Sequence, residues 1–462
     1  MPNVWISGEF EALRGGPQML SKDDNETLCR VGPGSPMGDL MRQYWFPAIP
    51  SFELPSPDCP PIKVRLLGED LVAFRDSEGK VGLFVQACPH RGASLFFGRN
   101  EEDGLRCVYH GWKFDTTGTC VDMPSEPAES NFKSKVRVRS YPARDVNRMI
   151  WVYMGPREEP PPFPEFDIAR LPIEHVSEPR LMLEESNWFQ NLEGDIDSVH
   201  IDYLHSRLYD DKPMAGGIRG FYTRDRAPDL DVVPTEYGAF YSARREWSDN
   251  GDEWHRITQF VLPFHTMIAA SAADTVTLRT WLPLDDHYTL QIAQHGSLSR
   301  PLTDQEREAP LHIFDIAGGL LPATSNPVSR YMTVANKRND FMRDFELEKT
   351  TQFCGILFAG NLQDRAMTEL MCNEDGIEPI YDRSKEHLGT TDRMVITARR
   401  ILIGAARAFR EEGKLPANVN EPRVGAVRSA SVILPPNADW VAETQDARSA
   451  YGGVEVAYVV PT

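Results

Sequence analysis

The sequence predicts an α+β protein of two domains, a small all-β domain followed by a larger one that mixes strands and helices. Three observations predict it: apolar and polar residues alternate between residues 44 and 156, a Pro-rich stretch follows directly, and long strands flanked by helical periodicity lie beyond. Strict alternation marks a half-buried strand, and a period of roughly 3.6 residues marks an amphipathic helix. The length of 462 residues agrees with two domains, because single cores rarely grow past about 250 to 300 residues.

Residues 1–43 read as an N-terminal helix and approach segment, with Gly32, Pro33 and Gly34 as punctuation. Over 44–156, IKVRLLG and LVAFRDSEGKVGLFV alternate, Asp76-Ser77-Glu78-Gly79 closes a hairpin, and GLRCVYHGWKFDTTGTCVDM and MIWVYMG continue the pattern. The composition of REEPPPFPEF is stiff and extended, which makes 157–170 a linker and 171–462 the second domain. There SNWFQNLEGDIDSVHIDYLHSRL reads as helix, and GAFYSARREW, HRITQFVL, DTVTLRTWLPL and YTLQIAQHG read as strands. Helical periodicity resumes near 337–371, and Val395, Ala398, Leu402, Ala405 and Phe409 keep helical spacing up to a stop at Gly413. Residues 413–462 read as an irregular arm.

Composition excludes several function classes. No apolar run approaches the roughly 18 residues that span a bilayer, and the N-terminus MPNVWISGEFEALRGG has neither a basic nor an apolar export region, so a cytoplasmic location is expected. A formal charge of −19 opposes nucleic-acid binding, which calls for a basic face. Seven cysteines are an odd number in a long chain, which makes a disulfide framework unsuited. Two of them, Cys88 and Cys107, stand beside histidines at ligand spacing.

Cys88-Pro89-His90 and Cys107-Val108-Tyr109-His110 form the pattern C-x-H-x16-C-x2-H. Two thiolates and two imidazoles suit a Rieske [2Fe-2S] cluster, in which one iron takes the cysteines and the other the histidines. Zinc sites of the same donor set usually pair C-x2-4-C with H-x3-5-H instead of interleaving the two residue types. The flanking CPHRGASL and CVYHGWKF resemble the cluster loops of Rieske oxygenases, with Gly92 and Gly111 letting each loop turn tightly. The electron-transfer Rieske proteins carry an additional cysteine in each loop, where this chain has Ala93 and Tyr109, and a serine where it has Trp112. With fewer polar groups near the cluster a lower potential is implied.

Downstream, Asp197-Ser198-Val199-His200 and then His205 resemble the D-x2-H-x4-H iron segment of the same oxygenases. Two neutral imidazoles and one carboxylate on a single face of Fe(II) leave positions open for dioxygen and substrate. Residues i and i+5 stand about 140° apart on an ideal helix, so a break or widening between His200 and His205 is expected. The resemblance implies a distant Asp as third ligand. Asp364 is chosen, with Asp340 and Asp344 as rivals. It also implies that Asp197 bridges His200 to the cluster residue His110 of a neighbouring copy, in a head-to-tail homotrimer or stacked trimers. For the second domain it implies a large antiparallel sheet with flanking helices, of helix-grip type.

GPGSPMGDLMRQYWFPAIPSFELP, VRLLGEDLVAFRDSEGKVGL, NWFQNLEGD and EPIYDRSKEHLGTTDRMVITARRILI resemble the phthalate 4,5-dioxygenase group over most of the chain. That resemblance implies ring dihydroxylation of an aromatic carboxylate or, as the alternative, O-demethylation of a methoxylated one. A Rieske electron carrier without oxygenase chemistry is the alternative from another class. Arg207 and Arg244 are proposed as a carboxylate clamp, since the arginine fork matches a carboxylate. With no G-x-G-x-x-G and no plant-type C-x4-C-x2-C motif, NAD(P)H electrons are expected through a separate reductase with flavin and a ferredoxin-type cluster.

Overall fold

A computed structural model describes residues 19–452 except 128, 209–225, 248–249, 270–273, 313–317 and 360. The N-terminal segment read for export signals lies outside the described residues, as does the end of the C-terminal arm. The N-terminal region holds two helices. Ser21 caps α1 (Lys22–Cys29) by accepting from the Asp24 amide at 3.0 Å, and Ser35 caps α2 (Pro36–Met41), whose first residue is the proline suited to that position. The Gly-Pro-Gly punctuation separates them.

In the first domain, β1 (Trp45–Pro50), β9 (Ala143–Val146) and β10 (Met149–Tyr153) form one antiparallel sheet, and β2 (Ile62–Leu66), β3 (Glu69–Arg75) and β4 (Val81–Val85) another. A third sheet is formed by β5 (Arg99–Glu101), β6 (Gly104–Arg106), β7 (Lys113–Phe114) and β8 (Cys120–Asp122); the first Cys/His loop lies between β4 and β5 and the second between β6 and β7. Phe74, Phe84, Leu95, Leu105 and Phe114 are buried beneath those loops as a core of their own. The Pro-rich segment is fastened to this domain: Trp45 Nε1 donates to the Pro161 carbonyl at 2.8 Å, and Phe163 packs on Trp45 and Trp151.

The second domain is built on an antiparallel sheet with eight strands among the described residues. Its path runs β11 (Arg180–Glu184), β17 (Thr289–Ser297), β16 (Thr275–Pro283), β15 (His265–Met267), β14 (Glu253–Val261), β13 (Gly238–Glu246) and β12 (Asp229–Thr235). The strand β18 (Ala430–Leu434) pairs with the first half of β14 while β15 pairs with its end. The segment read as an irregular arm therefore supplies a sheet strand, because the start of β14 leaves backbone groups that need partners.

Alternation gives the sheet two unlike faces. Leu181, Leu183, Leu278, Leu282 and Ile292 join the main core. Arg180, Gln291, Arg279, Trp281, Tyr241, Arg245 and Arg256 point the other way by strand register, toward α3 (Trp188–Ile196) and the segment after it. Asp195 on α3 ties the helix to that face, accepting from Arg279 Nη1 at 2.5 Å, from Trp281 Nε1 at 3.2 Å and from Thr266.

Behind α3, Glu193 is enclosed by Arg383 at 2.7 Å and Arg399 at 2.6 Å, the latter on α5 (Arg393–Glu412), where α1 and α2 also pack. Gly413 ends α5 with a left-handed φ of 69°. Between 337 and 371 the helical pattern is broken. A 3-10 turn Lys337–Met342 with positive φ at Asp340 and Phe341, a short helix Phe345–Thr350 capped by Asp344, and α4 (Leu362–Thr368) replace one long helix. Local caps at Asn336 and Asp344 restart the chain each time. No helix among the described residues is long and apolar enough to cross a membrane.

Candidate functional site

The two cluster loops share one hydrogen-bond design. The Cys88 amide donates to the Ala93 carbonyl at 2.8 Å and the Gly92 amide to the Cys88 carbonyl at 2.9 Å. The second loop repeats this with Cys107 to Trp112 at 2.8 Å and Gly111 to Cys107 at 2.9 Å. Gly92 and Gly111 have φ of 74° and 79°, and a Cβ on Gly111 would stand 2.8 Å from Pro124 Cγ, so both turns require glycine.

Both thiols are buried and the rings of His90 and His110 lie 4.4 Å apart. His90 stacks on Trp112 at 4.2 Å, and Trp112 is held by its own bond to Ser125. Burial, with the Cys107 thiol beside it, pushes the Cys88 thiol up to about 11. His90 Nδ1 is buried and accepts or donates no hydrogen bond. Two thiols, two imidazoles and an orphaned ring nitrogen inside two matched loops fit a Rieske cluster. The outer rim of the second loop is open, with Val108 and Tyr109 each 56% exposed.

The second constellation forms where α3 stops. Asp197 is the C-cap of α3 with extended φ and ψ of −85° and 119°, and the chain resumes as one 3-10 turn, His200–Asp202. The helix expected through both histidines ends before either of them. That break lets two side chains five positions apart converge. Their rings lie 5.1 Å apart at 75°. His200 Nε2 and His205 Nε2 stand 3.2 Å and 3.3 Å from the same Asp364 oxygen, and one ligand atom from each of the three lies within 4.8 Å of the others. The rival Asp344 spends its carboxylate capping Glu346 and Leu347, and Asp340 lies in the distorted 3-10 turn.

Gln363, which the sequence did not single out, orients the site. Its Oε1 lies 2.6 Å from His205 Nδ1 while its amide nitrogen donates to the Ile356 carbonyl at 2.7 Å, which fixes the amide with oxygen toward the ring. With Nδ1 turned to the Gln363 oxygen, Nε2 is the ring nitrogen that faces the triad. We predict that Gln363→Leu, which keeps the bulk and removes the acceptor, weakens iron retention at this site by about 10- to 100-fold. Iron content after dialysis against graded chelator checks it.

Asp197 Oδ1 accepts the Val199 amide at 2.7 Å, and Oδ2 lies 3.4 Å from His200 Nδ1, too long and too oblique for a full hydrogen bond. Burial disfavours a charged His200, yet Asp197 and Asp364 outweigh it and raise the imidazole to about 10. Asp364 is held well below the usual carboxylate range, against burial, by His200 and His205. The site is electrostatically built for a cation. The side chains of His200 and Asp364 stay 21% and 22% exposed, so one side of the triad remains open, as a reacting metal requires.

The two arginines proposed as a clamp are placed differently. Arg207 is exposed just after His205, with its backbone paired to Gln352. Arg244 does not reach the triad's side of the sheet. It pairs with Glu253 at 2.8 Å and with Asp229, on the opposite face from its neighbour Arg245. Arg245 is the inward one and forms a fully buried pair with Asp202 at 3.0 Å. Arg256, missed in the sequence, also faces inward and donates to Ser198 Oγ at 3.4 Å. Its signal is its register opposite Ala243, invisible without the pairing.

Comparison with known proteins places both domains in one family. A family described as Rieske [2Fe-2S] domain matches residues 44–142, and one described as LigXa C-terminal domain like matches residues 152–456. The chain is 37% identical to the 3-chlorobenzoate-3,4-dioxygenase oxygenase subunit of Comamonas testosteroni, over 91% of this chain and 97% of that protein. It is 36% identical to the phthalate 4,5-dioxygenase oxygenase subunit of Pseudomonas putida, over 91% of this chain and 94% of that one. In fold it matches the reduced complex between oxygenase and ferredoxin in carbazole 1,9a-dioxygenase, with a TM-score of 0.50, 17% identity and coverage of 83% and 94%. The chain belongs to the Rieske oxygenases of the phthalate dioxygenase group, as an oxygenase component.

Proposed function

We propose that this oxygenase component dihydroxylates a phthalate-like aromatic carboxylate, using dioxygen and electrons that a separate reductase with flavin and a ferredoxin-type cluster draws from NAD(P)H. The observation that carries it is the meeting of His200, His205 and Asp364 on the polar face of the sheet, in a chain that also holds the Cys88, His90, Cys107 and His110 loops. The cluster would be held by those four residues and a mononuclear Fe(II) by the triad. Iron at the triad supplies activation of dioxygen.

The chain's own residues prepare that chemistry. His200, His205 and Asp364 would hold the iron together, with one ligand atom from each within 4.8 Å of the others. Gln363 holds the His205 imidazole in orientation while Asp197 stands behind His200, and Arg256, beside Ser198, offers a buried cation to a substrate carboxylate, with Arg207 guiding the acid from the exposed side. Asp197 would join His200 to His110 of a neighbouring copy in a head-to-tail trimer. Consistent with that role, Tyr109 and Val108 leave the cluster rim open.

Dihydroxylation is preferred to O-demethylation because the two relatives spanning 91% of the chain are dioxygenase subunits. Turnover of phthalate, isophthalate, terephthalate and methoxylated benzoates with a compatible reductase, followed by mass spectrometry, tests this. A cis-dihydrodiol from a benzene dicarboxylate is expected. Formaldehyde and a phenol from a methoxylated acid would replace dihydroxylation by O-demethylation, and no oxygen uptake with any aromatic acid would contradict the substrate class.

A further inference from the structure

We infer that Arg180 is an anion-binding residue of the substrate chamber, placed to hold an acidic group of the substrate on the Asp364 side of the triad. The inference rests on the triad being the oxygenation site, and it deepens that reading by naming a second acidic group on the substrate.

Four arginines point from the sheet toward the triad's side. Arg245 is neutralised by Asp202 at 3.0 Å and Arg279 by Asp195 at 2.5 Å. Arg256 reaches a hydroxyl. Arg180 reaches only neutral oxygens, Asn361 Oδ1 at 3.3 Å and Gln291 Oε1 at 3.5 Å, and has no carboxylate in ion-pair range among the described residues. Its Nε is buried and without an acceptor, and so is Nε2 of Gln291 beside it. Two orphaned donors side by side, one of them on a full positive charge, call for an acceptor between them. A planar carboxylate fits the guanidinium fork and uses the amide as a further donor.

The location matches. Asn361 is the N-cap of α4, and Asp364 lies three residues on, about one helical turn away. Burial and the neighbouring Arg279 cation lower Arg180 to about 10, so it stays charged at neutral pH while the surrounding carboxylates leave it undercompensated. Arg256 approaches from beside Ser198 near His200, and Arg180 from beside Asn361 near Asp364. Arg180 and Arg256, neither in an ion pair among the described residues, stand at the two ends of the triad and together select a substrate with two acidic groups over one with a single acid.

Equilibrium dialysis of the holoenzyme with benzoate, phthalate, isophthalate and terephthalate tests this, comparing wild type with Arg180→Gln and Arg180→Lys. For the dicarboxylate the wild type binds best, Arg180→Gln should weaken binding by about 30-fold, and Arg180→Lys, which keeps charge but loses the fork, by about tenfold. Iron content and the visible spectrum of the cluster should stay at wild-type values in both. Binding within about twofold of wild type in the variants would overturn the role of Arg180 and leave an ordered water as the acceptor. A wild type that binds and turns over none of the four acids would instead overturn the aromatic-carboxylate reading, and the inference with it.

Discussion

Asp364→Ala is expected to strip the mononuclear iron and abolish oxygenation while leaving the cluster's visible spectrum unchanged. Asp364 supplies the carboxylate of the triad, with one oxygen 3.2 Å and 3.3 Å from the two imidazole nitrogens. Losing a ligand should cost more than the roughly 10- to 100-fold typical of an orienting residue, so affinity should fall by more than about 100-fold. It also removes one of the two carboxylates that make the surroundings of His200 favour positive charge. The cluster loops close on their own backbone hydrogen bonds and on Trp112, none of which involves α4. Iron should drop from about three to about two per chain at constant acid-labile sulfide. Retained iron and turnover would remove Asp364 from the site.

Asp197→Ala has the second largest expected effect, a fall in kcat of about 100-fold or more with both metal contents intact. Asp197 touches the triad only through the back of His200, at 3.4 Å from Nδ1, and its other oxygen is bound to the Val199 amide. On the proposed reading it transmits electrons and does not ligate. Its carboxyl is held below the usual range, with burial opposed by His200 and by backbone amides, so it carries charge at neutral pH and can accept from imidazoles on two sides. Rapid mixing of the reduced protein with substrate and oxygen checks it. Reoxidation of the cluster should slow in Asp197→Ala and partly recover in Asp197→Asn, which keeps an acceptor oxygen. Reoxidation at the wild-type rate would remove the bridge.

The parts of the molecule legible in the sequence are those whose chemistry is local. Each cluster loop packs two ligand-type residues and a turn glycine into a few positions, and the backbone hydrogen bonds that close it span no more than six residues. The two-domain α+β order was legible from alternation and the Pro-rich stretch for the same reason. Long-range features were not. Gln363 acts through a ring contributed by another segment, and nothing in its neighbours announces that.

Arg244 and Arg245 show the limit most clearly. Adjacent residues on a strand face opposite ways, and only the register says which faces the site. Helical periodicity at 337–371 was overridden by Asn and Asp caps and by positive φ at Asp340 and Phe341. The strand at Ala430–Leu434 carries too short a pattern to be distinguished from an arm until β14 is there to receive it.

Metal and sulfide analysis of the purified chain, on one preparation with its visible spectrum, tests the two-centre account most directly. About three irons and about two acid-labile sulfides per chain, red-brown colour and no zinc are predicted. About two irons would make the chain a cluster protein without a mononuclear site, and a colourless zinc protein would contradict both centres.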